Sequence, residues 1–252
     1  MTPSDPLFDV AGRSIVVVGA AGGLGSAMAR SLADRGARLM LSDLDAGALD
    51  ALAHDIAGDV RWQTADITDE TATAGLMQAA ADAFGGIDVL INATGIFTVG
   101  PAQELPVDDF RRTLDVNVTG ALLLSRAAAN HMGRDGGSIL HIASVSSKFA
   151  NLDYAAYASS KAALAQLVRV LAREWAPRRI RVNALGPAMT ETPLTAPQLS
   201  DPAFQEQALA VIPLGRVGLP GDLLAPMLML VGPGGAFITG QTIYVDGGRT
   251  LV

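Results

Sequence analysis

The feature that most constrains this chain is a junction: the uncharged run Ser14–Val18 passes directly into Gly19-Ala20-Ala21-Gly22-Gly23-Leu24-Gly25, and Ser26–Arg35 beyond it has helical composition. The run is nearly all apolar with no alternation, as expected of a parallel strand covered by helices on both faces. Parallel neighbours require right-handed crossovers, so the chain is expected to wind helices on both sides of one sheet. A turn without side chains lets backbone amides approach a pyrophosphate, and the following helix N-terminus adds partial positive charge. Tight packing of helix on strand also uses glycine, so the turn alone leaves both readings open.

Six further short β-branched runs repeat the pattern: Arg38–Ser42, Val60–Thr64, Val89–Asn92, Ser138–Ala143, Ile180–Leu185 and Thr242–Val245, with helical stretches between them. They predict a doubly wound α/β fold with a central seven-stranded parallel sheet. No repeat, low-complexity tract or linker divides the chain, and 252 residues suit one domain over 1–252. Prolines at 193, 197, 202, 213 and 220 interrupt otherwise helical stretches, and 188–220 is expected to form a lid over substrate.

A formal net charge of −7 offers no basic face for nucleic acid or an anionic membrane. A small-molecule partner is expected instead. Half the residues are hydrophobic and 17% are charged, which suggests apolar surface shared between subunits, with the helical stretches Thr113–Met132, Tyr154–Ala176 and Leu223–Val231 as its source. With no cysteine, disulfides, thiolate metal sites and a cysteine nucleophile are excluded. His54, His131 and His141 lack ligand spacing and are read as structural or surface groups, with no metal expected. Met1–Gly12 has no basic segment leading an apolar core and is not expected to be a secretion signal. The longest apolar runs are strand-length, so a cytoplasmic protein is expected.

The second predicted strand ends at Asp43, at about the spacing where an acidic side chain accepts hydrogen bonds from an adenosine ribose. A 2′-phosphate there would meet the carboxylate, a repulsion of up to a few kcal/mol at about 4 Å and an effective dielectric near 20. No arginine or lysine lies in the glycine turn or at Leu44 or Asp45. NAD is therefore the expected cofactor. Tyr157 and Lys161 stand at i and i+4 on the helical stretch Tyr154–Trp175, so both project from one face. A cation near a phenol favours phenolate and brings tyrosine toward useful proton transfer at neutral pH. The spacing by itself equally suits a buried tyrosine beside a surface lysine.

Over essentially its whole length the sequence resembles the short-chain dehydrogenase/reductase family in its form of about 250 residues. Gly19, Gly23 and Gly25 match the cofactor turn. Asp66 matches an aspartate that contacts adenine, and Asn92-Ala93-Thr94-Gly95 is similar to the family's strand end. Asn117, Ser144 and Tyr157-Ala-Ser-Ser-Lys161 match the catalytic residues, and Ile238–Gln241 and Val245–Gly248 match the C-terminal pattern. Val18, Thr94 and Ala188 depart from the family's usual threonine, alanine and glycine.

The resemblance implies a Rossmann fold and an NAD-dependent oxidoreductase acting on a secondary alcohol or its ketone. Ser144 would hold the reacting oxygen and Tyr157 would exchange its proton. Lys161 would bind the nicotinamide ribose and lower the phenol pKa, and Asn117 would hold a water linking Lys161 to solvent. The implied cofactor contacts are Gly19, Gly22, Gly23, Leu24, Gly25, Asp43, Asp66, Ile67, Asn92, Ala93, Gly95, Tyr157, Lys161, Pro187, Thr190 and Thr192. Ile96, Ser144, Ser146, Asn151, Tyr154, Met189 and a lid beginning near Thr195 are the candidate substrate contacts, by position. A homotetramer is implied. The competing readings are an NADPH-linked 3-oxoacyl thioester reductase, disfavoured by Asp43, and a non-catalytic dinucleotide-binding regulator, disfavoured by the intact catalytic set. The glycine spacing also fits an epimerase-like branch, a minor alternative here because the extra C-terminal domain of that branch is not expected in this chain.

Overall fold

A computed structural model describes residues 5–252; the first four residues of the Met1–Gly12 segment lie outside it. The elements in chain order are β1 (Ser14–Val18), α1 (Gly23–Ala33), β2 (Arg38–Ser42), α2 (Ala46–Asp55), β3 (Val60–Trp62), α3 (Glu70–Phe84), β4 (Val89–Asn92), α4 (Val107–Leu114), α5 (Gly120–His131), β5 (Gly137–Ile142), α6 (Ala155–Trp175), β6 (Ile180–Pro187), α7 (Ala196–Leu199), α8 (Pro202–Ala210), α9 (Leu224–Val231) and β7 (Thr242–Val245). The strands form one sheet of order β3-β2-β1-β4-β5-β6-β7. Every pairing is parallel.

The two-residue period of a strand assigns β1 to two cores. Ile15 and Val17 pack with Met28 and Leu32 of α1, Leu49 of α2 and Met227 and Leu230 of α9. Val16 and Val18 face the opposite layer, with Leu76 and Met77 of α3, Leu124 of α5 and Val168 and Leu171 of α6. Strand order reverses between β1 and β4, and the crevice that opens past their carboxyl ends is where such sheets take ligands.

Four predicted strands keep their bounds, while β3 stops at Trp62 rather than Thr64 and β6 runs on to Pro187, where it pairs with Val245. The expected helix over Thr113–Met132 is interrupted. A single π-turn, Asp115–Thr119, joins α4 to α5, with the Gly120 N–H donating to the Asp115 carbonyl. The α9 segment is not spare apolar surface, because Met227, Leu228, Leu230 and Val231 are buried in this chain's own core. Segment 188–220 carries α7 and α8, neither with a buried residue. It is tied at its ends, where Glu191 N donates to Gly218 O at 2.9 Å and Gly218 N to Met189 O at 2.8 Å.

Candidate active site

The glycine turn begins with Gly19 in the left-handed region (φ 79°), where its N–H reaches the Ser42 carbonyl at 2.8 Å. A Cβ at Gly25 would lie 2.0 Å from the Gly19 carbonyl oxygen, so only glycine lets α1 start this close to the turn. Gly22 caps α1 without a side-chain hydrogen bond, which leaves the first helical N–H groups available to an anion. Asp43 stands beside this turn. One carboxylate oxygen accepts from Ala21 N at 3.0 Å and the other from Leu44 N at 2.7 Å. Asp66 accepts from both the backbone and the hydroxyl of Thr68, and those bonds hold its carboxyl below the usual range.

Ser144 follows β5 and caps a short 3-10 turn, its hydroxyl oxygen accepting from Ser146 N at 3.1 Å. On α6, Tyr157 and Lys161 share one face as their spacing requires. Lys161 Nζ donates to the Ile142 carbonyl at 2.8 Å and lies 5.7 Å from the Tyr157 ring centroid. Burial pulls the Lys161 ammonium down to about 8. Burial also pushes the Tyr157 phenol up to about 12, with the Ser144 hydroxyl opposing that rise and Tyr154 adding to it. Desolvation is the largest influence on both groups, and the Lys161 ammonium has its hydrogen bond to the Ile142 carbonyl.

Asn117 lies in the π-turn, a kind of helix defect that recurs at functional sites. Its Oδ1 accepts from Ile96 N at 2.9 Å, while Nδ2 donates to Ile96 O at 3.0 Å and to Ser160 Oγ at 2.9 Å. A Cβ on Gly95 would meet Asn117 Oδ1 and Lys161 Nζ at 3.2 Å each, so the two groups flank one point.

These elements enclose a cavity of about 770 Å³. Its lining includes Gly19, Gly22, Gly23, Leu24 and Gly25, then Asp43, Asp66, Ile67, Ala93 and Gly95, and finally Ser144, Tyr157, Lys161, Pro187, Thr190 and Thr192. The bare turn, the uncapped helix start and the carboxylate beside them fit a dinucleotide, which a Cβ at Gly25 would deny its turn.

Asn92 is the exception among the expected cofactor contacts, because it lies outside that lining. Its Oδ1 accepts from the Thr94 N–H and hydroxyl, and its Nδ2 meets His141 Nδ1 at 3.3 Å. Asn117, Ser146, Asn151, Tyr154 and Met189 also lie outside it. Asn151 Nδ2 donates to Ser146 Oγ at 3.3 Å, and Met189 supplies its carbonyl to Gly218.

A family model described as "Enoyl-(Acyl carrier protein) reductase" matches residues 19–250. The chain is 34% identical to 3beta-hydroxysteroid dehydrogenase 1 of Eggerthella lenta, covering 96% of this chain and 95% of that one. It is 36% identical to galactitol 2-dehydrogenase (L-tagatose-forming) of Cereibacter sphaeroides, covering 97% and 98%. Among solved structures, a gluconate 5-dehydrogenase from Burkholderia cenocepacia in complex with NADP and tartrate superposes with a TM-score of 0.94 at 30% identity, covering 98% of each chain. The chain belongs to the short-chain dehydrogenase/reductase family.

In this short-chain dehydrogenase/reductase, several residues in the cavity or packed on its Tyr157 escape sequence reasoning. Phe97 packs edge-to-face on Tyr157 with centroids 4.7 Å apart. It sits in a loop, where no periodicity marks it. Arg111, Arg112 and Val116 line the cavity from α4 and the π-turn, and only knowledge of that turn reveals which way they face. His141 is fully buried, as a structural histidine should be. Ser125 Oγ donates to Ala121 O, so it accepts from His141 Nε2, and Nδ1 accepts from Asn92. Desolvation, helped by the Lys161 charge, brings His141 down to about 3 and keeps it neutral.

Proposed function

We propose that this chain is an NAD-dependent dehydrogenase interconverting a secondary alcohol, of polyol, cyclic or hydroxy-carbonyl type, and the corresponding ketone. One observation carries the reading: Ser144, Tyr157 and Lys161 line the same cavity as the glycine turn. A bound nicotinamide dinucleotide supplies the hydride acceptor for oxidation and the donor for reduction. The turn from Gly19 to Gly25, with the α1 N-terminus, would hold its pyrophosphate. Asp43 would take the adenosine ribose, Asp66 and Ile67 the adenine, and Pro187, Thr190 and Thr192 the carboxamide. Ala93 and Gly95 would border the nicotinamide half, with Asn92 supporting them from behind.

Ser144 accepts the Ser146 N–H, which frees its own proton to bond the reacting oxygen. Tyr157 takes that oxygen's proton in oxidation and returns it in reduction. Lys161 binds the nicotinamide ribose and stabilises the phenolate. Asn117, clamped by Ile96 and Ser160, keeps a carbonyl lone pair beside Lys161 for a water leading to solvent. The segment 188–220 serves as a lid, and the whole of 1–252 acts as one domain.

Asp43, with no arginine or lysine in the glycine turn or at positions 44 and 45, favours NAD. An NADP-linked reaction is the second reading, favoured by the NADP in the Burkholderia structure. A thioester on an acidic carrier protein, as in 3-oxoacyl or enoyl reduction, sits poorly with a net charge of −7. We also propose a cytoplasmic homotetramer, in which exposed apolar side chains such as Val170 of α6 and Phe237 become covered. Among the described residues no helix is long and apolar enough to cross a membrane.

The test is to follow the reduced-nicotinamide absorbance with both cofactors over a panel of alcohols and ketones, in the wild type and Tyr157→Phe. Turnover falling by orders of magnitude with NAD binding retained supports the assignment. Near-normal turnover in the variant refutes it.

A further inference from the structure

Ser144 lies beyond the end of β5, where Ala143 N makes its hydrogen bond to Leu185 O at 2.7 Å, and has an extended backbone (φ −169°, ψ 159°). Its carbonyl takes two bonds from a single residue, Ser147, whose N–H donates at 3.0 Å and whose hydroxyl donates at 2.7 Å. The same Ser147 Oγ lies 3.0 Å from the phenol oxygen of Tyr244 in β7. A serine hydroxyl has one proton to give. Here that proton goes to the Ser144 carbonyl, which can only accept, so Tyr244 is the donor to Ser147. The bonds therefore run in one direction, from the Tyr244 O–H through the Ser147 O–H to the Ser144 carbonyl, and each donor strengthens the next.

The sheet itself places the tyrosine. Gly186 is its partner in the β6–β7 register, and a Cβ at Gly186 would lie 2.6 Å from the ring, so only a residue without a side chain admits it. Lys148 Nζ lies 5.8 Å from the ring centroid and adds a cation to the packing. Neither Tyr244 nor Ser147 lines the cavity, whereas Ser144 does.

We propose that Tyr244 is a positioning residue: through Ser147 it fixes the Ser144 backbone, and with it the direction in which the Ser144 hydroxyl meets the reacting oxygen. Ser146 N already holds the Ser144 oxygen from one side. Tyr244 secures the backbone on the other, tying the last strand of the sheet to the turn after β5. Reactivity is steep in such placement, since a shift of about 1 Å can cost on the order of a hundredfold in rate.

This inference rests on the dehydrogenase reading, and the experiment keeps the two apart. Full-length protein is assayed with NAD and with NADP on galactitol, cyclohexanol and cyclohexanone. The substrate turned over fastest is carried into Tyr244→Phe, Ser147→Ala and the double variant. Tyr244→Phe keeps the ring against Gly186 and removes only the hydroxyl. It should lower kcat by about tenfold while the cofactor dissociation constant and the unfolding midpoint stay at wild-type values. Ser147→Ala should lose a similar factor, and the double variant should be no slower than either single within about twofold, because both cut one link. If Tyr244→Phe does not fold, Ser147→Ala severs the link from its other end, and an undiminished kcat there overturns the proposal. An unchanged kcat in folded Tyr244→Phe, or losses that multiply in the double variant, makes Tyr244 a packing residue and leaves the dehydrogenase standing. No turnover of any of the three by the wild type with either cofactor overturns the dehydrogenase reading and this inference with it.

Discussion

Lys161 Nζ donates a 2.8 Å hydrogen bond to the carbonyl oxygen of Ile142, the last residue of β5 and two positions before Ser144. That bond ties the helix carrying the phenol to the end of the strand that leads into the serine, so the proposed catalytic groups share one rigid frame. Burial pushes the Tyr157 phenol up to about 12 and pulls the lysine down to about 8. If Tyr157 is the proton acceptor, oxidation needs the scarce phenolate below that value. In oxidation kcat/KM should climb by up to about tenfold per pH unit from pH 6 until Lys161 loses its proton near 8, and less steeply above, whereas ketone reduction, which uses the abundant neutral phenol, should not rise. Initial rates in both directions across this range decide the matter. A flat oxidation profile, with chemistry limiting, would remove Tyr157 from the role of base.

Two glycines in the pocket should fail in different ways. Alanine at Gly25 would place a methyl 2.0 Å from the Gly19 carbonyl oxygen, a backbone clash the turn cannot relieve, so Gly25→Ala should lower stability by more than about 2 kcal/mol and abolish dinucleotide binding. At Gly95 the methyl would sit 3.2 Å from Asn117 Oδ1 and from Lys161 Nζ, contacts eased by a shift of a few tenths of an ångström. Gly95→Ala should therefore fold normally and lose roughly tenfold or more in kcat, since it crowds the groups proposed to relay the proton. Denaturant unfolding and steady-state kinetics on both variants test this contrast. Equal stability loss in the two would contradict it.

Discrimination between the cofactors should reside in Asp43. Its carboxylate is held at the turn by Ala21 N and Leu44 N, where a 2′-phosphate would bring a second negative charge. Removing it in Asp43→Ala should weaken NAD and reduce the preference for NAD over NADP by about tenfold or more, the partly exposed site screening the repulsion. Dissociation constants for both cofactors by fluorescence titration measure the ratio directly. An unchanged or sharper preference for NAD would place the selectivity elsewhere.

The unbroken apolar run of β1 announced a parallel strand covered on both faces, and its residues do divide between two cores. Strand bounds were legible wherever a turn residue closed the run, as at Ser42 and Asn92. The π-turn at Asp115–Thr119 was not, because one extra residue in a helix leaves composition unchanged. The orientation of Asn92 was also hidden: a motif marks the position, while the Asn92↔His141 pairing across β4 and β5 directs the side chain inward. Phe97 carried no signal in an irregular loop. The phenol's pKa depends on burial and on where Lys161 points, quantities a spacing of four residues cannot convey.

The inward network yields a pH prediction for stability rather than for rate. His141 is neutral in the fold, with a pKa near 3 against an ordinary 6.5, because it is desolvated and lies near the Lys161 charge. Its folded pKa lies below its unfolded one, so the unfolded chain binds the extra proton, and stability falls as pH drops from about 6.5 toward 3. At roughly 1.4 kcal/mol per unit, the loss reaches a few kcal/mol by pH 4.5, above the range where the carboxylates lowered by Thr68 and Arg216 begin to titrate. His141→Asn retains an acceptor for Asn92 and a donor for Ser125 while removing the titration. Its unfolding free energy should be lower than the wild type's at pH 7 and nearly level between pH 7 and 4.5. A wild type whose stability is itself level over that interval would mean that His141 is not held neutral.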